Sequence, residues 1–514
     1  MVTEPIQTLI DRVAETRNAG GFSSGESIVE VNQVVSAAAT FYEKIRYIVE
    51  YREEHTVRRS AIERILRRRV FIEGGAADAS VLLRELVEGQ YLTADHANEA
   101  SREQMNNIIA RFAELWQAVG GNRKYGPKLL GFAASEIDAA FDPWQHAVDD
   151  GVVEALYQTV HGHLVMSGVE EDVLANQLHC ACRRVLLNSD DSTLSYALWL
   201  LYVPEWSSGA VDVHELAPHI PNIMAAIDRD VKHDVQWQIS QKLKNESIYF
   251  RIIRELFYQK QSEAESILMN PDKLEAFTRA FLAEKYEKEN ARIRSSGIRA
   301  VIYLLISKTL IAFAVEVPYE MYMYSSLNYV TLAVNIIFHP LLLLALTRGV
   351  GSLGEANTNA VVTGLRGAVY ENRVRQIRVH PEYASFTALF ALLYLVIIAG
   401  VFGGIVGILQ SLNFNNASTV LFLFFLALVT YLAFRVRRNA KRWQVSGTEG
   451  GFTLFMHVLV APIVRVGQWL SRTYSSINIL VMVMDFIIEM PFRMLLNFSH
   501  HFLVYLKDKA DEVY

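Results

Sequence analysis

Two long apolar runs lie between Arg299 and Arg348, and residues 318–328, which contain no lysine or arginine, separate them. Each run approaches the length of about 20 residues that a helix needs to cross the hydrocarbon core of a bilayer. The pattern therefore predicts a transmembrane helical hairpin at residues 296–347.

The same pattern recurs further along the chain. Residues 386–412 carry no charged side chain, the turn NFNNAS that follows again lacks lysine and arginine, and another apolar run covers residues 419–434. This predicts a second transmembrane hairpin at residues 386–435, which a loop at residues 348–385 joins to the first.

Before the first hairpin, residues 1–295 have apolar side chains at helical spacing, without the sustained alternation that is typical of strands. We expect an all-α domain here. Asn270 and Pro271 have the chemistry of a helix start, and the helix that they begin is expected to run into the membrane unbroken. The other predicted helices cover residues 27–69, 79–87, 94–119, 135–166, 170–187, 193–201 and 211–227.

Basic residues are distributed unevenly around the predicted spans. Lysine and arginine are frequent before the first span, in the loop at 348–385 and directly after the fourth span, and both short turns lack them. Because basic residues are enriched in cytoplasmic loops, the N-terminal domain and both chain ends are expected in the cytoplasm. The first 20 residues have no basic segment followed by an apolar one, so we expect no signal peptide.

Residues 436–514 are predicted to form amphipathic helices on the cytoplasmic face. Around residues 455–472, a helical wheel separates apolar side chains from a polar side that includes Arg465 and Gln468, which is typical of a helix lying in the membrane interface. Residues 477–507 either lie in the interface or cross the membrane with a polar stripe against other helices. Two acidic residues in this stretch favour the interface.

Composition narrows the function classes. The 514 residues include 49 basic and 55 acidic side chains, and a net charge of −6 gives no reason to expect nucleic-acid binding. Two cysteines are too few for a disulfide-stapled extracellular module and fit a reducing compartment. A metal site formed by the cysteines and their neighbouring histidines is disfavoured, because helix residues two apart point in different directions. We expect no catalytic, cofactor-binding or metal-ligating residue.

Polar residues within the predicted spans are the first candidates for a functional site, because an ionised group in hydrocarbon costs a few kcal/mol and usually has a partner. In the first hairpin they are Lys308, Glu316, Asn335 and His339. They form either a proton, ion or ligand site or a structural pairing between neighbouring helices, and we favour the pairing. Glu316 is expected near the outer surface, where water can reach it.

Four glycines of the third span, Gly400, Gly403, Gly404 and Gly407, form overlapping small-xxx-small pairs. Such pairs allow the backbone of a neighbouring helix to approach closely. We predict a helix-packing surface, either within the chain or between copies.

A basic run lies at the end of the predicted helix 27–69 and includes Arg64, Arg67, Arg68 and Arg69. These side chains could contact anionic lipid headgroups. The simpler interpretation is a solvated helix face that is paired with glutamates, and we favour it.

Four short phrases of the sequence carry a resemblance: NSDDS at 188–192, YVPEW at 202–206, EVPYE at 316–320 and IIFHPLLLLAL at 336–346. With them the chain resembles uncharacterised multi-spanning membrane proteins of candidate-phylum bacteria with small genomes. The resemblance covers Phe41 to the fourth span. It implies location in the plasma membrane of a prokaryote and no particular activity.

Together these features predict an all-α protein with a large cytoplasmic helical domain, a four-helix transmembrane domain and amphipathic C-terminal helices. The expected function is non-enzymatic: a membrane-anchored scaffold or assembly component that presents its helical domain to a protein partner. The expected partners are the lipid bilayer and either another protein or a second copy of the chain. An oligomeric channel or transporter that uses the polar residues of the first hairpin is the alternative.

Overall fold

A computed structural model of the chain describes residues 2–19, 57–69, 78–121, 124–166, 169–209, 211–348, 354–371, 377–379, 387–440, 443–445 and 460–471. The described part is mostly helical, as the sequence predicts. It separates into two compact units. We call them the helical unit, with the described residues up to Glu265 and Ala368–Val379, and the apolar unit, with the described residues of Ser266–Gly367 and His380–Asn478.

The helical unit consists of short and medium helices, two of which are joined by a three-residue strand. In chain order they are α1 (Glu4–Ala19), α2 (Val57–Arg67), α3 (Ala79–Glu88), α4 (Glu99–Ala118), α5 (Gly126–Phe141), α6 (Pro143–His161), β1 (Leu164–Met166), α7 (Glu171–Leu187), α8 (Asp191–Tyr202), α9 (Val213–Leu216), α10 (Ile220–Val231), α11 (Val235–Lys242) and α12 (Lys244–Lys260). The segment α13 (Ala264–Leu268) follows at the boundary between the units.

Large aromatic side chains fill the centre of the helical unit. The ring of Trp199 on α8 lies 5.2 Å from that of Trp206 and 5.5 Å from that of Phe132 on α5, centroid to centroid. All three side chains are almost fully buried. Burial of such surface at about 25 cal/mol per Å² is the main stabilising contribution to a core of this kind.

The prediction of one helix over residues 135–166 is wrong, because the chain breaks at Asp142. The Asp142 carboxylate accepts a hydrogen bond from the Gln145 amide at 3.0 Å and caps α6, while Pro143 occupies the first position of that helix. A residue before proline is disfavoured in the helical conformation, so α5 ends here.

A small parallel sheet ties a distant segment to the helical unit. Strand β2 (Ile377–Val379) pairs with β1, with Leu164 opposite Ile377. Nearby, the amide of Thr3 donates to the carbonyl of Val369 at 2.8 Å. Residues 368–379 come from the loop predicted between the hairpins, and strands of three residues are too short to produce an alternating pattern in the sequence.

The apolar unit contains the longest helices. They are α14 (Pro271–Ile311), α15 (Val317–Tyr324), α16 (Tyr329–Arg348), α17 (Glu355–Arg366), α18 (Thr387–Ser411), α19 (Asn416–Ala440) and α20 (residues 460–471), and π-helical turns occur at Ala312–Glu316 and Gly367–Glu371.

Helix α14 starts where the sequence predicts and continues without a break for 41 residues. The side chain of Asn270 accepts hydrogen bonds from the amides of Asp272 and Lys273 at 3.0 and 3.1 Å, and Pro271 follows the cap. At 1.5 Å per residue the helix is about 60 Å long, roughly twice the thickness of a hydrocarbon core.

Among the described residues, four helices are long and apolar enough to cross a membrane: Pro271–Met323, Tyr329–Leu346, Ala391–Ser411 and Asn416–Arg435. This confirms the four predicted apolar helices and their approximate positions. The third of these helices is the least buried, since most of its large side chains lie at the surface of the apolar unit.

Helix α20 packs against α19 through a glycine. A Cβ atom at Gly467 would overlap the carbonyl oxygen of Ala427 and the Cβ of Tyr431. On the same helix, the Arg465 guanidinium lies 5.6 Å from the centre of the Tyr394 ring on α18. Ala427 lies midway along the apolar part of α19, so α20 contacts that helix at mid-length. The expected position of residues 455–472 in the membrane interface stays a prediction. The predicted segment 477–507 lies outside the described residues.

This contact predicts that Gly467→Leu lowers the thermal unfolding midpoint of the full chain in detergent. Overpacking costs about 1–3 kcal/mol even where side chains can yield, and the neighbour here is backbone. Gly404→Leu is the matched control, because it changes a glycine in the same way where the space around the Cβ is open. Equal midpoints for the two variants would contradict the packing of α20 on α19.

Candidate polar site between the apolar helices

The predicted polar residues of the first hairpin meet in the apolar unit. The Lys308 ammonium on α14 donates to Asn335 Oδ1 on α16 at 2.6 Å, and Asn335 Nδ2 donates to Glu316 Oε1. Lys308 and Asn335 are fully buried and Glu316 is 2% exposed. One amide side chain therefore bridges the ammonium and the carboxylate.

Local backbone geometry brings Glu316 to this position. Pro318 has no amide hydrogen, so the regular α-helical hydrogen bond to Ala314 is missing. Before it, the amide of Val317 donates to the carbonyl of Ala312, five residues back, which closes a π-helical turn. Such a turn rotates the residues that precede it relative to those that follow. Glu316 is buried beside Asn335, so the expectation that bulk water reaches its side chain is wrong for the described chain.

His339 forms a second contact, one helical turn from Asn335. Its Nε2 lies 3.0 Å from the carbonyl oxygen of Phe422 on α19, and its Nδ1 lies 3.2 Å from the carbonyl oxygen of Asn335. The imidazole is fully buried, and the Phe422 ring lies edge-on to it at 4.6 Å. His339 thus links α16 to α19.

A third contact, which the sequence analysis missed, lies at the other end of the cluster. Glu320 on α15 accepts from the amide of Asn328 at 3.1 Å and from Asn415 Nδ2 at 2.8 Å. Asn328 and Asn415 also cap α16 and α19, accepting from the amides of Thr331 and Ser418. Glu320 follows Glu316 by four residues, and this helical spacing is the signal that could have identified it.

The cluster is a closed arrangement of opposite charges rather than an open cleft. The Lys308 ammonium also lies 4.3 Å from the centre of the Phe425 ring, a favourable cation–π distance. Ammonium, amide, carboxylate and imidazole hold α14, α16 and α19 together, as the structural interpretation predicts. The same set of groups has the chemistry to bind a proton or a small polar ligand.

The four candidate packing glycines lie on an open surface. Gly400, Gly403, Gly404 and Gly407 are exposed, and a Cβ atom at each would meet no described atom within 4 Å. Packing of this surface against another helix of the chain therefore has no support among the described residues. Packing between copies stays a prediction.

The arginine run pairs with acidic side chains in the helical unit. Arg68 and Arg69 donate to Glu85 on α3, and Arg67 lies 2.5 Å from Glu63 on its own helix. Arg64 lies in the last turn of α2 beside them. These ion pairs favour the interpretation of a solvated, acid-paired helix face, and contact with lipid headgroups stays a prediction.

The cysteines and His179 behave as core residues. Burial raises the pKa of Cys180 to about 12, and it also raises the pKa of Cys182. Burial, followed by the charge of Arg183, lowers the pKa of His179 to about 4. Arg183 Nε donates to His179 Nε2 at 3.2 Å, which requires the neutral imidazole as acceptor. Among the described residues, no group of three or more histidine, cysteine or acidic side chains is arranged to hold a metal ion.

A second histidine of the helical unit has the opposite electrostatics. Burial of His146 opposes its charged form, but the hydrogen bond to Asp138 and the charges of Asp138, Asp150 and Asp149 outweigh burial and raise its pKa. His146 Nε2 lies 3.7 Å from Asp138 Oδ2. His146 therefore stabilises the fold in its charged form, whereas His179 stabilises it in its neutral form.

Fold and cluster together define a mostly helical protein with four apolar helices compatible with a membrane protein. Comparison with known proteins does not narrow this class: no protein-family model matches the chain, and no curated protein or solved structure is significantly similar to it. The role of the cluster must therefore be argued from its geometry.

We predict that Lys308→Met destabilises the full chain in detergent by about 3–5 kcal/mol, because the buried Glu316 carboxylate loses its counter-charge. Adding Glu316→Gln is expected to restore most of the loss, since the double variant has no unpaired buried charge. Denaturant unfolding measures both. Lys288→Met, on the same helix but exposed, is the control and should have no measurable effect. A Lys308 variant as stable as this control would contradict the pairing.

Stability should also depend on pH in two separate ranges. Below pH 6.5 the unfolded chain binds a proton at His179 that the folded chain binds only near pH 4, so stability falls over this range by about 2–3 kcal/mol. Above pH 6.5 the stabilisation from charged His146 is lost as the pH passes its raised pKa. Unfolding curves should show that His179→Gln flattens the range between pH 6.5 and 4 and that His146→Gln flattens the alkaline range. A swap of these effects would contradict the assignment.

Proposed function

We propose that the protein is a membrane-anchored scaffold whose helical unit binds a protein partner on the cytoplasmic face of the plasma membrane of a prokaryote. The return of residues 368–379 to the helical unit carries this proposal. The chain leaves the helical unit after Glu265, returns at Ala368 and leaves again after Val379. The helical unit is thus attached at three points to a set of apolar helices, as an anchored platform would be.

These three points support the four-span topology. A compact helical unit lies on one side of a membrane, so the chain between Glu265 and Ala368 must cross an even number of times. Two apolar helices, Pro271–Met323 and Tyr329–Leu346, lie in that interval. After the fourth apolar helix, the carbonyl of Trp443 accepts a hydrogen bond from Asn357 at 2.9 Å, and Asn357 also donates to Tyr286 on α14.

This contact brings together the N-terminal part of the first apolar helix, before its apolar stretch begins, and segments after the second and after the fourth. Contact among these three segments agrees with two hairpins whose ends all lie on the same side of the membrane. The concentration of lysine and arginine in these segments supports the cytoplasmic side.

Among its described residues, the helical unit offers one large exposed aromatic side chain for partner binding. Trp237 on α11 is 65% exposed, while its neighbours Val235 and Ile239 are buried and hold the helix in place. Exposed tryptophans on a rigid helix are frequent hot spots of protein interfaces, because they bury a large area at low entropic cost. We therefore take Trp237 as the test residue for the scaffold function.

We predict that the full chain, extracted from its native membrane in mild detergent, carries a stoichiometric protein partner, and that Trp237→Glu reduces the captured amount at least tenfold. Affinity purification with mass spectrometry measures this. Leu201→Glu, a similarly exposed apolar position on α8, is the matched control and should retain the partner. If no stoichiometric partner is found, or both variants retain it, the scaffold proposal or its binding surface fails.

An oligomeric channel or transporter is the second candidate function. The observation that favours it is the presence of Lys308, Glu316, Asn335 and His339 in one buried cluster between apolar helices. Ionisable groups in such positions commonly mark ion or proton paths. The mutual pairing of these groups favours the scaffold.

A further inference from the structure

Three buried oxygen atoms of the polar cluster have no hydrogen-bond partner among the described side chains and backbone. They are Glu316 Oε2, Thr331 Oγ1 and Ser418 Oγ. The three residues are 2%, 1% and 1% exposed. An unsatisfied buried polar group costs about 1–3 kcal/mol, so three of them in one region require an explanation.

Hydrogen bonds of residues on either side join the helical segments that carry these atoms. On α16, Thr331 lies between Asn328, which bonds to Glu320, and Asn335, which bonds to Glu316. Helical spacing puts Thr331 on the same face of the helix as Asn328 and Asn335.

Ser418 occupies the corresponding position on α19. It lies between Asn415, which bonds to Glu320, and Phe422, whose carbonyl bonds to His339. The three oxygen atoms thus come from three different helical segments, and hydrogen bonds of neighbouring residues join these segments in one layer of the cluster.

We propose that this layer binds one water molecule, which donates to Glu316 Oε2 and is hydrogen-bonded to the hydroxyls of Thr331 and Ser418. Buried water in proteins typically makes about three hydrogen bonds to polar groups that lack other partners, and this layer supplies that number. The water links the π-helical turn to α16 and α19.

Charge disfavours a cation in this place. Thr331 and Ser418 lie in the first turns of α16 and α19, whose N-termini carry partial positive charge and contact the Glu320 carboxylate, while the Lys308 ammonium balances Glu316. A carboxylate is stabilised by these surroundings, and a neutral ligand satisfies the remaining oxygen atoms without adding charge.

The test compares Thr331→Val and Ser418→Ala in the full chain in detergent. If water connects each hydroxyl to Glu316, each substitution lowers the thermal midpoint by about 2–4 °C, and the double variant loses less than the sum because one ligand is shared. If the hydroxyls have no hydrogen-bond partner, their removal leaves the thermal midpoint unchanged or raises it, and the proposal is overturned. Thr309→Val is the control, because Thr309 bonds to a carbonyl of its own helix.

Two further measurements identify the ligand. A high-resolution density map of the purified protein should contain a peak within hydrogen-bonding distance of all three oxygen atoms, and its absence would overturn the proposal. The midpoint should be the same in sodium chloride and in choline chloride at equal ionic strength. A saturable rise specific to sodium would mean that the ligand is a cation, contrary to the proposal.

Discussion

The structure of the apolar unit depends on one constraint: the ammonium of Lys308 has no access to water. A lone buried ammonium would cost several kcal/mol, so the chain must bring an acceptor and a counter-charge to it. Asn335 accepts from Lys308 through Oδ1 and donates to the Glu316 carboxylate through Nδ2. An amide suits this bridging role because it both donates and accepts. The relative rotation and depth of α14 and α16 follow from satisfying this one group.

Other contacts extend the constraint along the helices. Glu320 fixes the starts of α16 and α19 at one end, and His339 joins the same two helices further in. Polar contacts with strict distances thus set the register of three helices, whereas apolar packing alone would allow them to slide. Within the described residues, helix α18 does not take part in this network. This agrees with its exposed apolar side chains and with the open space around its four glycines.

The sequence predicted those features that depend on composition over long stretches. Four apolar runs, the cap at Asn270 and the polar residues of the first hairpin each have a local cause, and the structure contains them. The burial of Glu316 was not predictable, because it follows from a π-helical turn that no spacing rule marks. Pairing of β1 with β2 was not predictable either, since each strand has three residues and the partners are far apart in the chain. Glu320 could have been found by extending the stripe from Glu316 by one turn.

The pairing of β1 with β2 also sets an order of events during synthesis. Strand β1 begins at residue 164 and its partner at residue 377, so the first two apolar helices are made between them. At about 5–20 residues per second, β1 waits roughly 10–40 s for its partner. The first two apolar helices are therefore synthesised while the helical unit is still incomplete. Completion of the helical unit therefore reports that both helices of the first hairpin have already been made.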